Sequence, residues 1–147
     1  MSDVSILILN YNGAAFIGPC LESVFIQDHP VDEVMVIDNG STDDSIKAVR
    51  QDFPKAKVVE VGKNLGFSGG MNLGIKESKN DLILLLNTDV VLDKSFISKM
   101  VETITQDSKV GSVSSKVYKL SEKPAKIFDT TGHVIFTNRL FTDRGDG

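Results

Sequence analysis

The sequence predicts an α/β protein with a mainly parallel sheet and helices on both faces. Three observations predict it. Short apolar runs, Val4–Leu9, Glu33–Ile37, Lys57–Val61 and Leu82–Leu86, recur along the chain. Between them lie segments with apolar residues at helical spacing, so strand and helix alternate. Polar and glycine-rich clusters follow the strands, at the ends where open α/β sheets bind ligands.

The first strand, Val4-Ser5-Ile6-Leu7-Ile8-Leu9, is rich in β-branched residues and runs into the loop Asn10-Tyr11-Asn12-Gly13. Phe16, Ile17, Cys20, Leu21, Val24 and Phe25 then recur at helical spacing, and that helix ends near Gln27, before Pro30. A second buried strand, Glu33–Ile37, leads into Asp38-Asn39-Gly40-Ser41-Thr42-Asp43-Asp44. Ser41 or Thr42 is expected to cap the next helix, with Asp43 and Asp44 in its first turn against the dipole. Lys57–Val61 is the third strand, and a glycine-rich stretch from Gly62 to Gly74 opens the helix after it.

The fourth strand carries the clearest chemical signal. Five apolar residues, Leu82 to Leu86, read as a strand buried on both faces. Asn87-Thr88-Asp89 follows. Alternation along extended chain would point Asn87 and Asp89 the same way, with Thr88 opposed. An amide and a carboxylate so placed suit a hard divalent cation that also holds phosphates. The same residues could equally satisfy local backbone in a turn. Asp93 is expected to cap a further helix bearing Ile97, Met100, Val101 and Ile104, and Val110–Tyr118 is expected to be a fifth strand.

Beyond Leu120 the alternation fails. Lys126–Phe128 and Val134–Phe136 are short strand candidates around Thr131-Gly132. The polar, glycine-rich end from Thr142 to Gly147 suggests a fragment of a longer protein. The expected division is 1–118 for the alternating core and 119–147 for a second, truncated region.

The whole chain excludes several classes. Its 147 residues fit one domain, and a net charge of -4 argues against a general nucleic-acid binder. Lys119, Lys123 and Lys126 do not form a basic stripe. Cys20 has no partner for an internal disulfide, and with His29 and His133 it makes no zinc spacing. Val4–Leu9 is too short for a signal-peptide core or a membrane span. A cytoplasmic location is expected, with peripheral association at the inner face of the membrane left open. The dinucleotide fingerprint G-x-G-x-x-G is missing after the first strand, and the P-loop pattern is missing throughout.

Four stretches together resemble glycosyltransferase family 2, in its rhamnosyltransferase-like branch. They are Val4–Asn12, Val36–Asp43, Asn64–Phe67 with Asn72–Ile75, and Leu85–Asp89. The tail from Phe128 to Gly132 and from Asp143 to Gly147 also resembles that branch. The resemblance implies the amino-terminal part of a Rossmann-like GT-A nucleotide-sugar-binding fold. It implies inverting transfer from a nucleotide-diphosphate-sugar donor, such as dTDP-rhamnose, to a glycan or lipid-linked acceptor. Asp38 would accept the pyrimidine N–H, and Tyr11, between Asn10 and Asn12, would lie against the base. Asn64 and Asn72 would offer amides, and Gly66 would allow close backbone approach. Asn87, Thr88 and Asp89 would meet the diphosphate. Asp89, with Asn87 replacing the first carboxylate of a D-x-D motif, would hold Mg²⁺ or Mn²⁺, and that replacement implies modest metal affinity.

Met71 stands where relatives often carry an arginine. The family's general base lies further along the chain, and no residue here matches it. Asp143 and Asp146 are poor substitutes. Two other readings stay open on the residues alone: a nucleotidyltransferase, and a non-catalytic nucleotide-sugar-binding domain. The crowded apolar residues Val134, Ile135, Phe136, Leu140 and Phe141 leave a homodimer open.

Overall fold

The structure is a computed structural model. It describes residues 3–118, and the backbone alone of 128–130, 133–135 and 141–143. The chain divides into two compact units, Met1–Ser98 and Lys99–Gly147.

The first unit is built on four parallel strands: β1 (Val4–Asn10), β2 (Glu33–Asp38), β3 (Lys57–Glu60) and β4 (Leu82–Asn87). Their order across the sheet is β3-β2-β1-β4. The crossovers β1 to β2 and β2 to β3 move one way, and β3 to β4 moves back. Right-handed crossovers then place helices α1 (Ile17–Phe25) and α2 (Ser45–Asp52) on one face and α3 (Gly66–Glu77) on the other.

Side-chain alternation agrees with this placement. Leu7, Met35 and Ile37 form a buried cluster with Met71 of α3, and Leu9, Val59, Val61 and Ile83 pack around it. Ile6, Ile8, Val34 and Val36, on the opposite face by alternation, are also buried. On that side Ile17, Cys20, Leu21 and Val24 of α1 and Val49 of α2 are buried. The rings of Phe25 and Phe53 stack at 6.0 Å between centroids, joining the ends of α1 and α2. Gly70 and Gly74 let α3 lie close on the sheet. A Cβ at Gly70 would stand 2.4 Å from Leu9 Cδ1, and one at Gly74 2.7 Å from Ile37 Cδ1.

Three expectations are corrected. β4 is not buried on both faces. It is the sheet edge, where only Leu86 is buried and Leu85 is 44% exposed. Its unbroken apolar run reflects one face under α3 and a rim that the first unit leaves open. Helix α2 starts at Ser45, so Asp43 and Asp44 are not in its first turn and neither Ser41 nor Thr42 caps it. Asp43 instead accepts the Ser45 backbone N–H at 3.1 Å. The expected strand Val110–Tyr118 is reduced to β5 (Val117–Tyr118). Gly111, Ser112, Ser114, Ser115 and Lys116 offer too little apolar surface for a place in the parallel sheet.

Helix α4 (Phe96–Thr105) begins after Asp93, which accepts the Ser95 N–H at 3.0 Å and, through its carbonyl, the Phe96 N–H at 3.0 Å. In the second unit β5 pairs antiparallel with β6 (Phe128–Thr130), and β7 (His133–Ile135) pairs antiparallel with β8 (Phe141–Asp143). Thr131, Gly132, Phe136, Leu140 and Asp146 lie outside the described residues, as do Lys119, Lys123 and Lys126. No helix among the described residues is long and apolar enough to cross a membrane.

Gly40 tests the loop packing. It sits at φ +84, and a Cβ there would stand 3.0 Å from the Lys63 backbone. Gly40→Ala should destabilise the chain by about 1–3 kcal/mol in urea melts. Gly18, in α1, has nothing within 4 Å of its Cβ direction. Pro19 follows it, however, and a proline ring crowds the Cβ of a preceding helical residue. The usual gain of Gly→Ala is therefore offset, and Gly18→Ala should change stability by less than about 1 kcal/mol in urea melts.

Candidate nucleotide-sugar site

Parallel register brings the sequence-predicted residues to one edge. Asn10 pairs with Asp38 across β1 and β2, and Leu9 pairs with Asn87 across β1 and β4. The direction of connection reverses between β1 and β4, which opens a crevice beyond their carboxyl ends.

Asn10 is fully buried and organises this edge. Its Nδ2 donates to Ser45 Oγ at 2.8 Å and Ser41 Oγ at 3.0 Å, and lies 3.4 Å from Asp38 Oδ1. Two protons serve three acceptors, so the two hydroxyls take the short bonds and Asp38 receives the weak one. Asn10 Oδ1 has no hydrogen-bond partner, and a Cβ at Gly13 would stand 2.4 Å from it. The glycine is required there because a side chain would strike a buried amide. Being enclosed, Asn10 presents no polar atom outward and acts on the edge by fixing Ser41, Ser45 and Asp38.

Asp38 is 6% exposed. Its two carboxylate oxygens share the Ser41 N–H at 3.2 and 3.3 Å. Asp38 therefore also closes the turn that follows β2. Long, shared bonds to neutral donors leave the carboxylate with acceptor capacity for a further N–H.

The loop after β1 is tied to the loop after β2 side chain by side chain. Asn12, at φ 51, donates its N–H to Ser41 Oγ at 3.0 Å and accepts the Thr42 N–H at 2.8 Å. The Ala14 N–H donates to Asp43 Oδ2 at 2.9 Å. Slight burial pulls the Asp43 carboxyl up, but the bonds from Ser45 and Ala14 outweigh it and hold the group below the usual carboxylate range. Tyr11 stands out of this lacing at 52% exposure, which leaves its ring available for contact.

A second lacing joins β2 to the loop before α3, and sequence reasoning missed its centre. Asn39 is 2% exposed. Its Nδ2 donates to Asn64 Oδ1 at 3.0 Å and the Gly66 carbonyl at 3.2 Å, and its Oδ1 accepts the Leu65 N–H at 2.9 Å. Asn64 Oδ1 also accepts the Gly66 N–H at 2.8 Å. Gly66 takes φ +72, with open space where a Cβ would be. Asn72, one and a half turns into α3, is exposed. The available signal for Asn39 was its position directly after a fully buried strand, where a polar side chain must find internal partners.

At β4 the strand ends with Asn87, and Thr88 and Asp89 form a turn. Alternation therefore does not extend to Asp89, and the expected opposition of Thr88 is not set by strand geometry. Thr88 packs beside Gly13, where a Cβ would meet its Oγ1 and Cγ2 at 3.3 Å. Asn87 and Asp89 are exposed. The Cys20 thiol lies 3.6 Å from the Asn87 carbonyl. Burial, and then the charge of Asp89, push that thiol up to about 12, so it stays neutral.

Among the described residues no three His, Cys, Asp or Glu side chains could together enclose a metal ion. A resident all-protein metal cage is not the chemistry of this donor set. One exposed carboxylate beside one amide fits a cation that arrives on a diphosphate and keeps waters, as Mg²⁺ does.

The comparisons with known proteins agree with this geometry. The model of glycosyl transferase family 2 matches residues 5–145, and the chain belongs to that family. The poly-beta-1,6-N-acetyl-D-glucosamine synthase of Staphylococcus epidermidis is 29% identical over 114 residues, covering 76% of this chain and 27% of that protein. An uncharacterized glycosyltransferase of Nostoc sp. is 29% identical over 111 residues, covering 74% and 34%. The chain thus spans about a third or less of the relatives it matches. Among solved structures, S. aureus TarS in complex with UDP superposes with TM-score 0.63 at 26% identity, over 71% of this chain and 32% of that one. The Pyrobaculum calidifontis mannosyltransferase PcManGT, solved with GDP-Man and Mn²⁺, gives TM-score 0.66 at 24% identity, over 70% and 32%. The fold is the Rossmann-like GT-A fold.

Two measurements test the edge. Asn10→Asp places a second carboxylate beside Asp38 and removes the amide donor, and should cost about 3 kcal/mol or more at neutral pH. Burial and the like charge raise that new group's folded pKa. The penalty should therefore shrink as pH falls toward its unfolded value of about 3.9. Urea melts at about pH 7.5 and about pH 5 check both parts. For Cys20 the folded pKa lies above the ordinary thiol value of 9.0, so the folded state holds the proton longer. Wild-type stability should fall relative to Cys20→Ala as pH rises from 9.0 toward about 12, and match its slope below that window.

Proposed function

We propose that this chain is the donor-binding part of an inverting glycosyltransferase, taking a pyrimidine nucleoside-diphosphate sugar. The observation that carries the reading is Asp38: a carboxylate at the strand end, held by weak neutral bonds, with acceptor capacity left for a ring N–H. Uracil and thymine present that N–H.

Tyr11, exposed on the adjoining loop, lies against the base in this reading. Asn64 Oδ1 is committed internally, so its Nδ2 is the group offered to ribose or phosphate, with Asn72 beside it on α3. Gly66 leaves open space for backbone approach. Asn87, Thr88 and Asp89 meet the diphosphate, and Asp89 with Asn87 holds the divalent ion. When bound, that ion offsets the charge that builds on the leaving diphosphate.

In the whole protein an acceptor hydroxyl attacks the anomeric carbon from the side opposite the diphosphate. The bond to the diphosphate oxygen breaks, the glycosidic bond forms with inversion, and the hydroxyl proton passes to a general base. Asp38 and Asp89 belong to the donor and are not assigned that role.

Resemblance to the rhamnosyltransferase-like branch supports dTDP-rhamnose as donor and a glycan or lipid-linked acceptor. Against it, TarS is solved with UDP-GlcNAc at 26% identity, and the staphylococcal relatives are named as synthases of an N-acetylglucosamine polymer. Both nucleotide-sugars share the pyrimidine N–H. Cytoplasmic placement, with donor supply on that side, accords with this chemistry.

Calorimetry on the 147-residue chain tests the reading. UDP and dTDP should bind more tightly with Mg²⁺ or Mn²⁺ than with chelator. Asp89→Asn should remove most of that difference, which equal affinity with chelator in the wild type would contradict. Asp38→Ala should weaken even uridine about tenfold, as expected for loss of a hydrogen bond to a charged acceptor. A panel of UDP-GlcNAc, dTDP-rhamnose and GDP-mannose then ranks donors, and preference for GDP-mannose would overturn the pyrimidine assignment.

A further inference from the structure

Asn39 is the buried polar residue of this edge that the donor reading leaves without a task. We infer that it is a positioning residue for donor binding, coupling the base-recognising end of β2 to the loop that faces ribose and diphosphate. The inference rests on the proposed donor site.

The geometry points to it from several sides. Asn39 follows Asp38 directly, and its own backbone N–H is fixed to the Asn10 carbonyl at 2.8 Å. The Asp38 carbonyl accepts the Val61 N–H at 2.9 Å. The backbone on which both side chains stand is therefore clamped to β1 and to the segment after β3. From that fixed point the Asn39 amide makes three bonds to three consecutive residues: Asn64 through Oδ1, Leu65 through its N–H, and Gly66 through its carbonyl. An amide can both donate and accept, and this loop needs both. Leu65 presents a donor, while Asn64 and Gly66 present acceptors.

The bonds also decide what the loop offers a ligand. The Leu65 and Gly66 N–H groups are consumed internally, by Asn39 and Asn64, so neither is offered outward. Asn64 is held with its oxygen inward, so its Nδ2 is the group it can present. Gly66 is kept at φ +72 with its open side clear. The Asn39 amide also packs on α3, lying 3.6 Å from where a Gly70 Cβ would be. Asp38 reads the base, and Asn39, one residue on, sets the loop for the rest of the nucleotide.

Asn39→Asp is the informative variant. It keeps the shape and can still accept the Leu65 N–H. As a carboxylate it cannot donate to Asn64 or Gly66, and it repels both oxygens. At neutral pH we expect the affinity for UDP with Mg²⁺ to fall about tenfold, about 1.4 kcal/mol, on loss of the two donated hydrogen bonds. Uridine, which keeps the Asp38 contact and meets that loop only through its ribose, should lose clearly less than UDP, no more than about threefold. Asn39→Ala should show the same split, and amide exchange at Leu65 should quicken because its acceptor is gone.

A purely structural role would lower uridine and UDP affinity by the same factor through loss of folded protein. That result, or no change in either, overturns the inference while the donor site stands. A wild-type chain that binds neither ligand overturns the donor site and this inference with it.

Discussion

The parallel register of β1 against β2 places Asn10 beside Asp38 at the end of two buried strands. Both side chains are polar and both are enclosed, so each must be satisfied from within. What holds them is Ser41, the Ser41 N–H and Ser45 at the start of α2, with Asn10 Oδ1 left without a partner. Once those bonds are made, the loop after β2 cannot move independently of β1. The Asn12 and Asp43 bonds then fix the loop after β1 in turn. The ligand edge is thus a laced set of side chains, with little regular backbone structure of its own.

Glycines make the lacing sterically feasible. Gly13 sits on the Asn10 amide, Gly40 on the backbone of Lys63, and Gly70 on Leu9 and Asn39. Each marks a place where two chain segments approach too closely for a methyl group. Helix α3 can therefore lie close on the sheet. The resemblance implied close backbone approach to a ligand at Gly66. The structure assigns Gly70 and Gly74 to packing and leaves Gly66 open.

The edge carries more carboxylate than cation. Asp38, Asp43 and Asp89 all lie on loops or strand ends of this rim, and Met71, at the position where the family resemblance led one to expect an arginine, adds no charge. An anionic diphosphate approaching such a rim needs compensating positive charge, which a divalent ion travelling with it provides. The field is already felt inside: Asp89 adds to burial in holding the Cys20 thiol neutral.

Local pattern alone determined the alternating elements, the four parallel strands and the residues that end them. Runs of Val, Ile and Leu and helical spacing are short-range signals, and strand ends follow from where they stop. Pattern could not show that β4 is an edge, because an apolar run reads alike whether one face is covered or two. It could not place the start of α2, because Ser41, Thr42 and Asp43 are all competent caps and only the bonds from Asn10, Asn12 and Ala14 choose among them. Nor could it show Asn39 reaching Asn64 through Gly66, a contact between segments 25 residues apart. Strand length and helix period are written in neighbouring residues. Which polar group is enclosed, and by what it is satisfied, depends on segments that meet only when the sheet is assembled.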